Sequence, residues 1–302
     1  MFLRNFLSII LIFKVKFNAS KMKITNELIG DVLYNSEASI EEKSIMIQKL
    51  KEPEMEEFDL KNAPIDTCDL LNKSFVSASW EDKNLILFNS NFNPIKIVTE
   101  YDGKNIKPNG LAFNNEKNEI LISDCESHQI IVTDIELNKI RSVGTHGLKF
   151  NQFNNPSGIC FHKNGDLYIC DELNSRITVF NNDLNFKTSI NLDYYPWRIK
   201  ISNSTAFVKT YPLKLYIYDL ESWMLKTTYD NITRVHELSP YFFTISSLSI
   251  LNLYDSSGDL LDKINVERIK RNLTDLTYAF LFKFNNALIL CQHPSKRVSK
   301  FK

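Results

Sequence analysis

The chain of 302 residues has only eight glycines, and it contains no G-x-S-x-G, no H-E-x-x-H and no glycine-rich phosphate loop. Backbone phosphate cradles and the common serine and zinc hydrolase motifs are therefore not expected. Neither sign of charge is in excess, since Lys+Arg and Asp+Glu both number 36. A formal net charge of zero gives no global pull toward DNA or a membrane surface, so a charged partner has to be met by a local patch. Cysteines are few and odd in number: Cys68, Cys125, Cys160, Cys170 and Cys291 lie far apart without CxxC spacing. That favours buried free thiols in a reducing, cytoplasmic setting over a disulfide framework. The Cys/His ligand pairs of zinc modules are missing from residues 1–65.

Long apolar runs are scarce as well. The opening MFLRNFLSIILIFKVKF places an apolar run after Arg4, as in a secretory signal over residues 1–20, but Lys14 interrupts it and no small-residue cleavage pattern follows. It falls short of the roughly 20 residues that a membrane-spanning helix needs. A membrane partner is thus not expected, and secretion is the alternative to a cytoplasmic location if the run acts as a signal. Sequons at Asn18, Asn72, Asn203, Asn231 and Asn272 do not decide between the two, because 32 asparagines generate about that many by chance. Farther on, Ser39 and Glu42 form a capping box that predicts a short helix over 38–50. Residues 1–57 therefore read as an N-terminal extension, partly helical or disordered.

What is present is 43% hydrophobic residues, enough to bury a large core, arranged in a repeat. KPNGLAF…EILISDCESHQIIVTD from Lys107 and NPSGICF…DLYICDELNSRITVF from Asn155 match at Pro108/Pro156, Gly110/Gly158, Phe113/Phe161, Asp124/Asp171 and Ile130/Ile177. CQHPSKRVSKF from Cys291 lies on CDELNSRITVF from Cys170 without a gap, bringing Arg297 onto Arg176 and Phe301 onto Phe180. The repeat from Lys107 ends its strand at Thr133, and weaker copies place further strand ends at Phe88, Tyr218 and Tyr254. The unit of about 40 to 50 residues, built of short β runs between Asn, Asp, Gly and Ser clusters, predicts a β-propeller.

Within the best repeat, Asn164-Gly165 reads as a two-residue hairpin turn that pairs Cys160 with Ile169 and so puts Cys160 and Cys170 on opposite faces. Asp166 then flanks the turn, and Asp171 ends the second strand, where it can accept turn N–H groups or pair with Arg176. Both carboxylates are read as scaffold.

These residues resemble the NHL repeat, whose loose pattern runs Pro-x-Gly-Ile, a hairpin, Leu-Tyr-Ile-x-Asp and Asn-x-Arg-Ile-x-Val-Phe. The stretch Asn155 to Phe180 matches closely; the repeat from Lys107 has Ser127, His128 and Gln129 where Asn-x-Arg would stand; two later repeats place Lys209 and Ile245 in the aspartate position. The resemblance implies an all-β fold, a six-bladed propeller of four-stranded blades over 58–302. Phe301 ends the last blade at its third strand, so a segment near Phe58 to Leu60 is expected to supply the outermost one and close the ring. The resemblance also extends to the propeller part of tripartite-motif ubiquitin ligases, which implies either a propeller-only protein or part of a longer one.

Binding side chains in such folds sit on loops that join blades and on turns between second and third strands. Those loops give Lys107, Asn109, His128, Phe153, Asn155, Tyr194, Tyr195, Trp197, Arg198, Tyr211, His236, His293 and Lys296 as the partner-binding face. Exposed aromatics beside Arg198 suit either protein hot spots or stacking with single-stranded RNA; alternatively Trp197 opens an inner strand and packs between blades. His128, His146, His162, His236 and His293 fall at non-equivalent positions, which argues against a channel metal. The expectation is a non-enzymatic protein-interaction platform, free of cofactor, with no catalytic residue and no DNA partner. The alternatives are single-stranded RNA recognition on the same face and a lyase or hydrolase acting in the channel.

Overall fold

The structure is a computed structural model that describes residues 55–59, 65–71, 74–91, 93–210, 213–238, 241–246, 250–254, 257–265, 280–284, 287–292 and 297–301. The signal-like segment 1–20, the helix expected over 38–50, and Leu60 lie outside the described residues. Side chains are described from Ile65 to Ile232 within those spans, and at Thr244, Tyr254 and 257–259.

The described chain is all β apart from one turn of 3-10 helix, Glu172–Asn174. Six four-stranded antiparallel sheets follow one another. Sheet one holds Asp66–Asp69, Phe75–Ser79, Asn84–Phe88 and Pro94–Val98. Sheet two holds Pro108–Asn114, Glu119–Asp124, Gln129–Thr133 and Lys139–Val143, and sheet three Pro156–Phe161, Leu167–Asp171, Arg176–Phe180 and Phe186–Asn191. Sheet four holds Pro196–Ser202, Thr205–Thr210, Lys214–Asp219 and Leu225–Tyr229. These four carry the sheet cores whose side chains are described. Sheet five comprises Ile232–Leu238, Tyr241–Ser246, Ile250–Tyr254 and Leu260–Asn265, and sheet six Phe280–Phe284, Ala287–Gln292 and Arg297–Phe301, completed by Met55–Asp59.

The strands read as nearly unbroken apolar runs because both faces of each central strand are covered. In sheet two, Ile120 and Ile122 pack toward sheet one while Leu121, between them, packs toward sheet three. In sheet three, Leu167 and Ile169 face sheet two, whereas Tyr168 and Cys170 face sheet four. Phe207 of sheet four in turn meets Ile232 and Tyr254 of sheet five. The period of two along each strand thus loads two successive interfaces, which is the arrangement of a propeller. First strands of successive sheets lie side by side, and Phe280–Phe284 returns to Asp66–Asp69. All six strand ends read from the sequence lie in third strands, and five of those strands carry a register shift at their last pairs, as at Val179/Phe180.

Sequence and strand pairing agree at the closure: Met55–Asp59 runs antiparallel to Arg297–Phe301, with Phe58 opposite Val298. They disagree at the hairpin of sheet three. His162 N–H donates to Asp166 O, Gly165 N–H donates to His162 O, and Gly165 has φ +85°, so the loop is three residues ending in a left-handed glycine. Cys160 therefore faces Tyr168 rather than Ile169, and Cys160 and Cys170 share one face. Both are buried free thiols, as are Cys68 and Cys125.

Two glycines of the repeat have a steric cause. A Cβ on Gly158 would lie 2.6 Å from Arg198 Cα, and one on Gly110 would lie 2.5 Å from Ser157 O. Glycine at these sites lets the first strands of neighbouring sheets approach backbone to backbone.

Candidate functional site: the rim over sheets one to four

Turns after the second strands and loops entering the next sheet meet on one face, and a chain of contacts links them. Lys107 Nζ sits 3.8 Å above the Trp80 ring, and Lys107 N–H donates to Asp124 Oδ1 at 2.6 Å. Asn155 N–H donates to His128 Nδ1 at 3.0 Å, Asn155 Nδ2 to Glu172 Oε2 at 3.0 Å, and Leu192 N–H to Ser175 O at 2.8 Å. The four-residue turns end on left-handed residues at the same place, Lys83, His128 and Ser175.

Asp171 is the hub. Fully buried, it accepts from Asn154 N–H at 2.7 Å, Asn174 Nδ2 at 2.8 Å and Arg176 Nε at 2.7 Å. Burial pushes its carboxyl above the ordinary range, against the pull of those donors. Arg176 spends its remaining N–H groups on the carbonyls of Leu148, Lys149 and Gln152, while Asn174 Nδ2 also reaches Gly147 O. The Asp-Asn-Arg set therefore staples the rim loop 144–155 to sheet three. Asp166, on the opposite face, does more than flank a turn, because Lys187 Nζ donates to both its oxygens at 2.8 and 2.7 Å.

The expected face divides on inspection. Tyr195 is 53% exposed, and Lys107, His128 and Asn155 are half-buried. Phe153 is instead fully buried against Phe180, and Asn109 is buried, accepting from Arg198 Nη2 at 2.9 Å. Arg198 reaches Asn109 from sheet four to sheet two, and burial lowers its affinity for its proton while Asp66 and Glu172 oppose this. Tyr194 stacks on Tyr216 at 4.0 Å and shares a 2.6 Å hydrogen bond with the Tyr218 hydroxyl. Trp197 is the second residue of the first strand of sheet four, with Lys209 Nζ 4.0 Å from its ring centre. Tyr211, His293 and Lys296 lie outside the described residues, as does the side chain of His236. Of the scaffold set, Arg297 and Phe301 sit in the third strand of sheet six, where Gln292 pairs with Arg297 as Asp171 pairs with Arg176.

Register also moves the aspartate position by one. Pro196 stands opposite Thr210 as Pro156 stands opposite Asp171, and Ile232 opposite Ser246, so Thr210 and Ser246, rather than Lys209 and Ile245, take that place.

Sequence reasoning missed the most exposed apolar side chains of this face. Leu148 and Phe150 are 72% and 74% exposed on loop 144–155, and Leu173 and Trp80 stand on neighbouring turns. Their signal was the segment GTHGLKF, in which two glycines at positive φ, Gly144 and Gly147, come just before Leu148 and Phe150. Among the described residues, no group of three His, Cys, Asp or Glu side chains is placed to hold a metal ion.

The NHL repeat family model matches residues 153–180, the span from the buried Phe153 through the Asp171 hub to the end of the third strand of sheet three. No curated protein matches the chain. Among solved structures, Kuenenia stuttgartiensis hydrazine synthase is similar, with a TM-score of 0.56 and 11% identity over 77% of this chain and 75% of that one. At that identity the likeness concerns the fold alone. The chain is a β-propeller that carries an NHL repeat.

Proposed function

We propose that the chain is a closed six-bladed propeller that acts as a non-enzymatic protein-interaction platform, with its partner face over sheets one to four. The observation that carries this reading is the exposure of Leu148, Phe150 and Leu173 on the loop and turn that Asp171, Asn174 and Arg176 tie together, with the Phe150 ring centre 4.7 Å from that of Phe186 and Tyr195 exposed on the next entering loop. Large apolar groups held rigidly in water are the mark of a docking surface. The tripartite-motif-like role, recognition of a partner within a ligase or scaffold, and the cytoplasmic location belong to the same proposal and rest on the repeat alone. The RNA reading is weakened because Tyr194 and Arg198, two of its five cluster residues, are committed to packing and to Asn109.

Two measurements test this. Purified chain is expected to enrich no motif from a randomised single-stranded RNA pool at any salt, and the Leu148→Asp/Phe150→Asp variant is expected to lose protein partners that the wild type retains while keeping its melting temperature. Salt-sensitive RNA enrichment that Tyr195→Ala abolishes would reverse the order of the two readings. For the closed ring, removal of residues 1–60 takes away the strand that pairs with Arg297–Phe301, and a large drop in melting temperature is expected. An unchanged value would contradict closure.

A further inference from the structure

Half-buried His128 and exposed His146 meet where the stapled loop begins and ends. Their ring centres are 4.5 Å apart. His128 Nδ1 accepts the Asn155 amide, so that nitrogen carries no proton and the ring is neutral while the bond stands. His146 belongs to the short parallel pairing of Thr145–His146 with Gln152–Phe153, two residues before Asn155. The two rings thus sit at the two ends of the segment that displays Leu148 and Phe150. The rest of that segment is held by Arg176, Asn174 and Asp171, of which the guanidinium and amide do not titrate near neutrality.

We propose that the His128–His146 pair is a pH-sensitive latch: neutral His128 holds Asn155 and the end of loop 144–155, and protonation breaks that hold and loosens the loop. A proton on Nδ1 sets N–H against N–H, and the neighbouring His146 further disfavours charge on the His128 ring. The charged groups around His128 are His146 on the loop, Asp124 and Glu126 on its own side, and Asp171 from sheet three. Burial and His146 hold the His128 pKa below its ordinary 6.5, against the three carboxylates. Because the folded value is depressed, the latch is closed above 6.5 and is lost as the pH falls through the folded value. In regulating the proposed partner face the latch rests on that reading, but its test reads no partner and can fail separately.

The test is NMR of the full chain, following the Asn155 amide exchange rate, corrected for intrinsic pH dependence, from pH 7.5 to 5.0 alongside titration of the His128 ring. Loss of protection by roughly tenfold, with a midpoint that tracks His128, is expected from a hydrogen bond of ordinary strength. His128→Asn places an oxygen acceptor where Nδ1 stands and tolerates the left-handed φ of +56° at this site, so its protection is expected to be flat with pH. His146→Asn is expected to move the wild-type midpoint upward. Protection of Asn155 that stays constant over this range in the wild type, or that falls equally in His128→Asn, would overturn the latch.

Discussion

Sheets three and four have the same strand order and the same register shifts, yet they are built with different chemistry at the rim. In sheet three the Pro156 partner is Asp171, which gathers an amide, a carboxamide and a guanidinium and so secures a twelve-residue loop. In sheet four the Pro196 partner is Thr210, whose hydroxyl donates only to Lys214 O at 3.3 Å, and the entering loop folds down as Tyr194 stacks on Tyr216. Likewise Gly158 admits the neighbouring backbone where sheet four has Arg198. The comparison teaches that strand pairing does not need the motif. In sheet three the motif residues instead hold a loop carried out into solvent.

Breaking the comparison most severely should be Asp171→Ala, which leaves Arg176 without its partner and is expected to cost about 3–5 kcal/mol in denaturant unfolding. Next comes Gly158→Ala, about 3 kcal/mol, since its methyl group meets the Arg198 backbone and neither strand can give way. Thr210→Val, the matching change in sheet four, is expected to cost only about 1 kcal/mol. Gly165→Ala is also expected to cost about 1 kcal/mol, from the positive φ alone, because an added Cβ there meets nothing closer than 3.5 Å. Equal losses for Asp171→Ala and Thr210→Val would remove the distinction between the two sheets.

The fold was legible because apolar β runs recur at a blade-like spacing and because Arg297 and Phe301 copy Arg176 and Phe180. The hairpin register was not, since Asn-Gly suits both a two-residue turn and the third position of a longer one, and only Gly165 φ and the His162–Asp166 pair decide. Of the candidate site, Tyr195 and the loop positions of Lys107, His128 and Asn155 were readable from repeat geometry. Phe153 was misplaced because a loop aromatic three residues past the exposed Phe150 turns inward to fill the space beside Gly144, whose Cβ would lie 2.5 Å from the Phe153 ring. Leu148 and Phe150 were overlooked because they repeat nowhere else in the chain.

The most direct measurement places a photo-crosslinking phenylalanine analogue at Phe150 on the rim of sheet three or at Met224, 70% exposed in the turn that joins the third and fourth strands of sheet four. Protein adducts formed in cells from position 150 and not from 224 are the predicted result. Equal adducts from both positions, or adducts to RNA from position 150, would contradict a protein-docking rim over sheet three.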